Sequence, residues 1–269
     1  MLKLGIIGCG NMGGAMLRQI LKAGVLQANE ILVSDHNEAL LTSIEKELHV
    51  SVTRDNRQAA DSPCVLLAVK PQFIAQVAQQ IAPVLHQDAL ILSIVMGYDL
   101  EMLGKILGNP QARIVRVMPN TPAMVGEGVL AAVRGAFVTD GQWAFARQML
   151  SCMGLFQEVT ENWMDAITGL SGSSPAFVFL FLEALSDAGV RGGLPRSIAQ
   201  QFAAQTLLGS AKLALETGKH PGQLKDMVTS PAGTTIEGVA ALEKNGFRFA
   251  VMDAVNAAIE KSRSVGKKK

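Results

Sequence analysis

The chain opens with Leu2-Lys-Leu-Gly-Ile-Ile-Gly8-Cys-Gly10-Asn-Met-Gly13, an apolar strand that runs directly into a glycine-rich turn and then a helical stretch. In such a strand–turn–helix Gly8 permits the tight turn, Gly10 lets the backbone approach phosphates, and Gly13 lets helix and strand pack closely. The helix N-terminus also presents N–H groups to an anion. We therefore predict a dinucleotide site, with an ordinary βα turn as the alternative. The residues expected to contact the cofactor here are Gly8, Gly10, Asn11, Met12 and Gly13.

Composition indicates a folded protein with one large or two modest domains. The 269 residues are 49% hydrophobic and 17% charged, unlike a disordered chain. The formal net charge of +1 argues against a nucleic-acid partner, since phosphate-backbone binders are basic. The only basic run, 267–269, is interpreted as a solvated tail.

Cysteine usage and the apolar runs predict a cytoplasmic protein without a membrane partner. The three cysteines, Cys9, Cys64 and Cys152, cannot all pair and lie in or beside apolar segments, as is typical of core residues in a reducing compartment. The chain begins with its first strand, so no signal peptide is expected. The most apolar run, 176–182, is far shorter than the roughly 20 residues of a membrane span.

The first half alternates strands and helices. The expected strands are 3–7, 30–34, 64–69, 90–95, 113–117, 129–133 and 156–159, and the expected helices are 12–23, 37–48, 73–85, 99–107 and 140–153. Apolar runs such as Val65-Leu-Leu-Ala-Val lack alternation, as parallel strands covered on both faces do. This predicts an α/β fold with an N-terminal Rossmann-type doubly wound sheet.

Beyond Asn162 no convincing strand follows. Ser174-Pro175 resembles an N-cap followed by a first-turn proline, and further helices are expected to Glu216, at 234–243 and at 247–264. These Ala-rich helices are apolar on more than one face, which predicts burial against a second copy. We expect a dinucleotide-binding domain over 1–160 and an all-helical, substrate-binding C-terminal dimerisation domain over 161–269.

The end of the second strand bears on the choice between NAD and NADP. Asp35 lies 22 positions beyond Gly13, near the place of an acid that holds the ribose 2′-OH of NAD. It is equally suited to capping the next helix. Ser34 is able to bind a 2′-phosphate instead, although no arginine adjoins it in sequence. The local pattern leaves both cofactors open.

Two further strands end in loops at the carboxyl edge, where open α/β sheets bind ligands. Ala68-Val69-Lys70-Pro71 ends one, and Pro71 favours an extended Lys70. This lysine is either a solvated side chain or a cofactor contact. Met118-Pro-Asn120-Thr-Pro122 ends the other, where Asn120 lies in either a rigid turn or a nicotinamide contact.

Two loops in the second half are rich in small hydroxyl residues, namely 169–175 and 229–237. Thr234 and Glu237 have the spacing of a capping box, which is the simpler interpretation. The alternative is that this helix N-terminus and its threonines bind a small carboxylate, as a reductase of small acids requires.

Several catalytic patterns are absent from the sequence. It contains no Walker A motif, no G-x-S-x-G turn and no metal-spaced Cys/His set, so no metal is expected. The four histidines are scattered, without evident carboxylate partners, which favours a reaction that needs no strong general acid or base.

With these motifs together, the chain resembles the pyrroline-5-carboxylate reductases over essentially its whole length. The most specific stretch is Ser230-Pro-Ala-Gly-Thr-Thr235-Ile-Glu-Gly-Val-Ala-Ala-Leu242-Glu, which resembles the family signature. The stretches 169–175, 193–195 and 220–226 also follow the family pattern. The resemblance implies reduction of 1-pyrroline-5-carboxylate to L-proline with NADPH, NADH being possible, by a homodimer that assembles in some members into a larger ring.

The resemblance also implies roles for individual residues. Asn56 would contact the adenosine ribose, and the cofactor would lie along Ala68, Val69, Lys70, Pro71 and Asn120. The substrate carboxylate would be held by the backbone N–H groups of Gly233, Thr234 and Thr235. The Thr235 hydroxyl would contact the ring nitrogen as the catalytic group, and Glu161 would contact substrate.

Three positions depart from common family forms: Met96, Phe177 and Ala232.

Two other functions fit the residues. One is a β-hydroxyacid dehydrogenase, which needs a catalytic lysine such as Lys212 or Lys225. The other is a non-catalytic dinucleotide sensor.

Overall fold

The computed structural model describes residues 2–266 and divides them into two compact units. Of the described residues, the first unit holds those up to Gly172 and those from Ile259 to Gly266, and the second is Ser173–Ala258. Within the first unit, the Ser262 hydroxyl donates a hydrogen bond to Asp165 at 2.6 Å. This contact ties the end of the last helix to the first unit.

The division after Gly172 lies beyond the boundary near 160 that the change in helical character suggests. The reason is packing at the start of the helical region. Met164 is buried in one cluster with Met118, Ala131 and Val133 of the sheet. Residues 161–172 are therefore helical in conformation but belong to the unit that holds the sheet.

The first unit is built around an eight-stranded sheet in the order β3-β2-β1-β4-β5-β6-β7-β8. The strands are β1 Leu4–Ile7, β2 Ile31–Ser34, β3 Ser51–Thr53, β4 Cys64–Leu67, β5 Leu90–Ser93, β6 Arg113–Met118, β7 Gly128–Arg134 and β8 Gly154–Glu158. The first six are parallel, β7 is antiparallel to β6, and β8 is parallel to β7. The order reverses between β1 and β4, where this kind of sheet opens its ligand crevice. The predicted Rossmann-type doubly wound sheet is confirmed.

The central strands are covered on both faces, which explains their continuous apolar sequence. Every residue of β1, β2, β4 and β5 is buried. Along β4, Leu66 packs into one hydrophobic cluster and Leu67 into another, so the two clusters lie on opposite faces. The strands therefore need no polar face.

Short helices connect these strands. They are α1 Asn11–Lys22, α2 Glu38–Leu48, α3 Asn56–Ala60, α4 Ile74–Ile81, α5 Leu100–Ile106, α6 Asp140–Ser151 and α7 Met164–Ile167, with 3₁₀ turns at Ala28–Glu30, Pro71–Phe73, Thr121–Val125 and Glu161–Trp163. The sequence prediction missed β3 and α3. β3 has three residues, none buried, and α3 has five, so neither carries a periodic pattern.

The second unit is all helical, as predicted. Its helices are α8 Ser174–Arg191, α9 Arg196–Thr217, α10 Pro221–Met227, α11 Thr234–Lys244 and α12 Phe247–Gly266, the last of which ends in the first unit. The sequence prediction missed α10, which has seven residues. α8 and α9 expose large apolar side chains in the single chain, including Phe179, Leu180, Phe202 and Leu208.

The prediction that Ser174 caps a new helix is wrong. Consecutive helical segments span Glu161–Arg191, and the π-helical one, Thr168–Ser173, lies directly before α8. Pro175 has no N–H and therefore fits where the regular hydrogen-bond ladder is already interrupted. Within the described residues this stretch is the one helix with the length and apolar composition of a membrane span. The sequence predicts no membrane partner on the basis of the shorter apolar run 176–182 alone.

Candidate cofactor and substrate sites

The glycine loop between β1 and α1 has the shape of a pyrophosphate cradle. Gly8 has φ +91°, and a Cβ there would lie 2.8 Å from the carbonyl oxygen of Ala68. A Cβ on Gly13 would lie 2.3 Å from the carbonyl oxygen of Gly8. A Cβ on Gly10 would meet nothing of the described chain within 4 Å. Gly8 and Gly13 are thus required by packing, whereas Gly10 faces open space at the N-cap of α1.

Asp35 has a role that neither sequence interpretation anticipated. Its buried carboxylate accepts hydrogen bonds from the N–H of Cys9 at 2.8 Å and the N–H of Asn37 at 2.9 Å. It does not cap α2, because Asn37 is the N-cap and accepts from the Leu40 N–H. Asp35 therefore holds the glycine loop against the end of β2.

Three polar side chains form a connected row beside this loop. The Ser34 hydroxyl, fully buried, donates to Oδ1 of Asn56 at 2.7 Å, and the Asn56 amide donates to Oε1 of Gln80 at 2.8 Å. Asn56 and Gln80 also line a cavity of about 670 Å³. The structure brings Ser34 and Asn56 together, at the edge where the adenosine of a dinucleotide lies in such folds.

The loop after β4 adjoins the glycine loop. The Ala68 N–H donates to the carbonyl of Ile7 at 2.9 Å, which places Ala68 and Val69 beside Gly8. Lys70 follows in an extended conformation, with ψ 147°, and its side chain is exposed. Pro71 begins the next 3₁₀ turn, as its effect on Lys70 predicts.

Asn120 is held by protein contacts at both ends of its amide. Its Oδ1 accepts from the Val129 N–H at 2.8 Å, and its Nδ2 donates to the Ser171 carbonyl at 3.1 Å. In a regular helix that carbonyl would accept from the residue four positions on, which is Pro175 and has no N–H. This geometry favours the rigid-turn interpretation of Asn120, because both ends of its amide are bonded to the protein and one of them donates to a carbonyl whose α-helical partner, Pro175, has no N–H.

Glu161 lies against a buried cation of the sheet. Its Oε1 pairs with the guanidinium of Arg116, which is 9% exposed, and burial lowers the pKa of that arginine. The nearby carboxylates of Asp99 and Asp165 oppose this shift. The other oxygen of Glu161 is buried and has no hydrogen-bond partner among the described residues. Glu161 is therefore the counter-ion of Arg116 and keeps one acceptor free.

In the second unit, the predicted carboxylate site is the start of α11. Gly233 is the N-cap, and no side chain of the described residues caps the helix, so the capping box expected at Thr234 and Glu237 is not formed. The first N–H groups of a helix have no partner within it. The Gly233 N–H, however, donates to the carbonyl of Ser230 at 3.1 Å. The exposed Thr234 and Thr235 are left as the main donors.

Ala232, beside this helix start, adopts φ +57°, a left-handed conformation that disfavours a Cβ. We expect Ala232→Gly to stabilise the protein by about 0.5–1 kcal/mol, since the relief of strain exceeds the added chain entropy. Urea denaturation measures this change. The control is Ala144→Gly on the exposed surface of α6, which should destabilise by about 1 kcal/mol. Equal losses in both variants would contradict the strain argument.

The histidines and the two lysines considered as catalytic groups lie at the surface. His36 lies 3.2 Å from Asp35 and His86 lies 2.8 Å from Asp61, pairs that the sequence did not indicate, and both histidine side chains are more than half exposed. The two lysines considered for a dehydrogenase are also surface residues: Lys212 pairs with Glu216, and Lys225 with Asp226. Among the described residues no group of three or more His, Cys, Asp or Glu side chains is placed to hold a metal.

Known proteins resemble both halves of the chain. Residues 161–265 match the family model "Pyrroline-5-carboxylate reductase dimerisation", and residues 3–97 match "NADP oxidoreductase coenzyme F420-dependent". A pyrroline-5-carboxylate reductase of Synechocystis is 47% identical over 268 residues, covering 99% of each chain. The chain belongs to the pyrroline-5-carboxylate reductase family. The Escherichia coli member is 41% identical and covers 98% of each chain.

The solved structures of the family agree with this fold. The Plasmodium falciparum pyrroline carboxylate reductase, solved with NADP bound, superposes with a TM-score of 0.90 at 33% identity and covers 98% of each chain. The family resemblance inferred from the sequence motifs is thereby confirmed. The residues matched by the dimerisation model include α8 and α9, whose apolar faces are exposed in the single chain.

Sequence reasoning missed two residues beside the adenosine edge, Arg54 and Gln80. Arg54 follows β3, which was not predicted, and Gln80 is one of several glutamines along α4. The available signal for β3 was the pair Val52-Thr53, two β-branched residues ahead of the capping Asp55. It is too short to distinguish from a loop.

Proposed function

We propose that the protein reduces 1-pyrroline-5-carboxylate to L-proline with NAD(P)H, the last step of proline biosynthesis. The observation that carries this proposal is the full-length similarity to pyrroline-5-carboxylate reductases. The glycine cradle and the uncapped start of α11 are consistent with it, because one suits a pyrophosphate and the other a carboxylate.

Reduction of the imine requires little general acid–base catalysis by side chains. The product differs from the imine by a hydride on the ring carbon and a proton on the ring nitrogen. If the substrate enters as the protonated iminium, that proton is already present, and the protein mainly has to align two bound molecules. This agrees with the exposed positions of the histidines and of Lys212 and Lys225.

The cofactor supplies the hydride when bound, and we assign its contacts to the first unit. The pyrophosphate would be held at Gly8, Gly10, Asn11, Met12 and Gly13. Ser34 and Asn56 would contact the adenosine ribose, and the loop over Ala68, Val69, Lys70 and Pro71 would line the dinucleotide. Asn120 would act indirectly, since both ends of its amide are bonded to the protein.

The substrate contacts are assigned to the start of α11 and to Glu161. The N–H groups of Thr234 and Thr235 would donate to the carboxylate, with Gly233 as the N-cap between them and the preceding turn. The iminium N–H would donate to the hydroxyl of Thr235. The free oxygen of Glu161 is an acceptor, and it would contact the substrate through an ordered water.

The protein forms a dimer through residues 161–265. We further propose that residues 1–160 form the cofactor-binding domain and that residues 161–269 form the domain for substrate binding and dimerisation. Assembly of dimers into a larger ring and a cytoplasmic location complete the proposal. Light scattering on the eluted protein measures the number of chains.

One assay tests the function. NADPH and NADH absorbance is followed with 1-pyrroline-5-carboxylate, and L-proline is identified as the product. We expect the oxidation of cofactor and formation of proline in equal amounts. Binding of NADPH without oxidation would instead indicate a sensor. Reduction of NADP⁺ by a small β-hydroxyacid, without any reaction of the imine, would indicate the dehydrogenase alternative.

A further inference from the structure

Asp35, the acid placed to recognise a ribose 2′-OH, accepts hydrogen bonds from the protein's own backbone. In dinucleotide folds an acid at the end of the second strand accepts a hydrogen bond from that hydroxyl. Here both oxygens of Asp35 accept backbone N–H groups, from Cys9 and Asn37, and the residue is 8% exposed. Asp35 is therefore engaged by the backbone and has little exposed surface left for a ribose hydroxyl.

An arginine lies at the same edge. β3 pairs with β2 in parallel, and Thr53 is the partner of Ser34, so Arg54 comes next after the strand beside Asp35. Its Nη1 lies 3.4 Å from Oε2 of Glu38, the first residue of α2. The guanidinium thus lies beside the loop that follows β2, and it also lines the cavity of about 670 Å³ shared with Asn56.

Arg54 is more available to a ligand than its neighbour Arg57 is. The pair with Glu38 is long, and both side chains are at least two-thirds exposed, so it contributes little. Arg57, on the same cavity, is held by Asp55 through two nitrogens, Nε at 3.0 Å and Nη2 at 2.9 Å. A phosphate dianion offers Arg54 a stronger, bidentate partner than Glu38 does.

We propose that Arg54 binds the 2′-phosphate of NADPH and is the residue that makes the protein prefer NADPH to NADH. The inference rests on the proposed function, since it takes an adenine dinucleotide as the cofactor. The hydrogen-bonded row from Ser34 through Asn56 to Gln80 would face the ribose, and Arg54 supplies a positive charge on the cavity that Asn56 and Gln80 also line.

The test compares adenosine 2′,5′-bisphosphate with 5′-AMP by calorimetry, in the wild type, Arg54→Ala and Arg57→Ala. We expect Arg54→Ala to weaken the bisphosphate by about tenfold or more and to leave 5′-AMP within about twofold, because one charge-assisted contact is lost. Arg57→Ala removes the same charge from the same cavity and should keep the wild-type difference. Unchanged melting temperatures verify that both variants fold.

Cofactor titrations separate this inference from the function itself. Arg54→Ala should bind NADPH about tenfold more weakly, bind NADH as the wild type does, and still reduce the imine with NADH. Equal affinity for the bisphosphate in Arg54→Ala and the wild type would overturn the role of Arg54 while leaving the reductase activity intact. Failure of the wild type to reduce the imine with either cofactor would overturn the proposed function instead.

Discussion

Replacing Gly10 by alanine is expected to weaken NADPH binding about 30- to 100-fold while leaving the protein as stable as before. Gly10 has φ −64°, which alanine adopts freely, and its Cβ would touch no atom of the described chain within 4 Å. The added methyl group enters only the space through which a pyrophosphate approaches the backbone. Losing contacts worth about 2–3 kcal/mol gives this change in affinity. Fluorescence titration with NADPH measures it.

The matched control is Gly13→Ala in the same loop. There the Cβ would lie 2.3 Å from a backbone oxygen, so the helix must shift, and we expect a loss of stability of about 2 kcal/mol or more. The two variants therefore distinguish a methyl group that blocks the ligand, at Gly10, from one that disrupts packing within the protein, at Gly13. Wild-type NADPH affinity in Gly10→Ala would mean that the pyrophosphate does not lie over Gly10.

The second large effect is expected at Thr235. Thr235→Ala should lower kcat about 10- to 100-fold, because the hydrogen bond to the ring nitrogen contributes about 1–3 kcal/mol to alignment. NADPH affinity should stay unchanged, since the residue belongs to the helical unit. Steady-state kinetics with 1-pyrroline-5-carboxylate, together with cofactor titration, measure both quantities.

Thr235→Ser is the matched control for the hydroxyl. It keeps the oxygen and loses only the methyl group, so we expect most of the wild-type kcat to return. A wild-type kcat in Thr235→Ala would remove the hydroxyl from the mechanism. Equal losses in the alanine and serine variants would assign the effect to the methyl group rather than to the hydrogen bond.

The elements that could be predicted from the sequence are those whose signal is local. The glycine turn after β1 and the continuous apolar runs of the parallel strands each lie within a few residues, and the fold followed from them. β3, α3 and α10 are too short to show a period. Ser174-Pro175 misled because a helix N-terminus and a π-interrupted helix both accept proline at that place.

The roles of the polar side chains were harder to predict because their partners are remote. Asp35 bonds to Cys9 across 26 positions, and Asn120 bonds to Ser171 across 51. Sequence spacing contains no information about such pairs until the sheet order is known. The capping box at Thr234 failed for a local reason, since Gly233 one position earlier takes the N-cap.

The burial of Cys9 in the glycine loop has a chemical consequence. Burial, reinforced by the carboxylate of Asp35, raises the pKa of its thiol to about 12, and burial also raises the pKa of Cys64 and Cys152. Because only the thiolate is a good nucleophile, all three should resist iodoacetamide at neutral pH while the chain is folded. These thiols have a lower pKa when unfolded, so their contribution to stability is intact below about pH 8.5 and declines as the pH rises further. The Cys9 thiol in the cofactor loop should therefore react slowly with oxidants and alkylating agents, while its burial makes the folded protein less stable at alkaline pH.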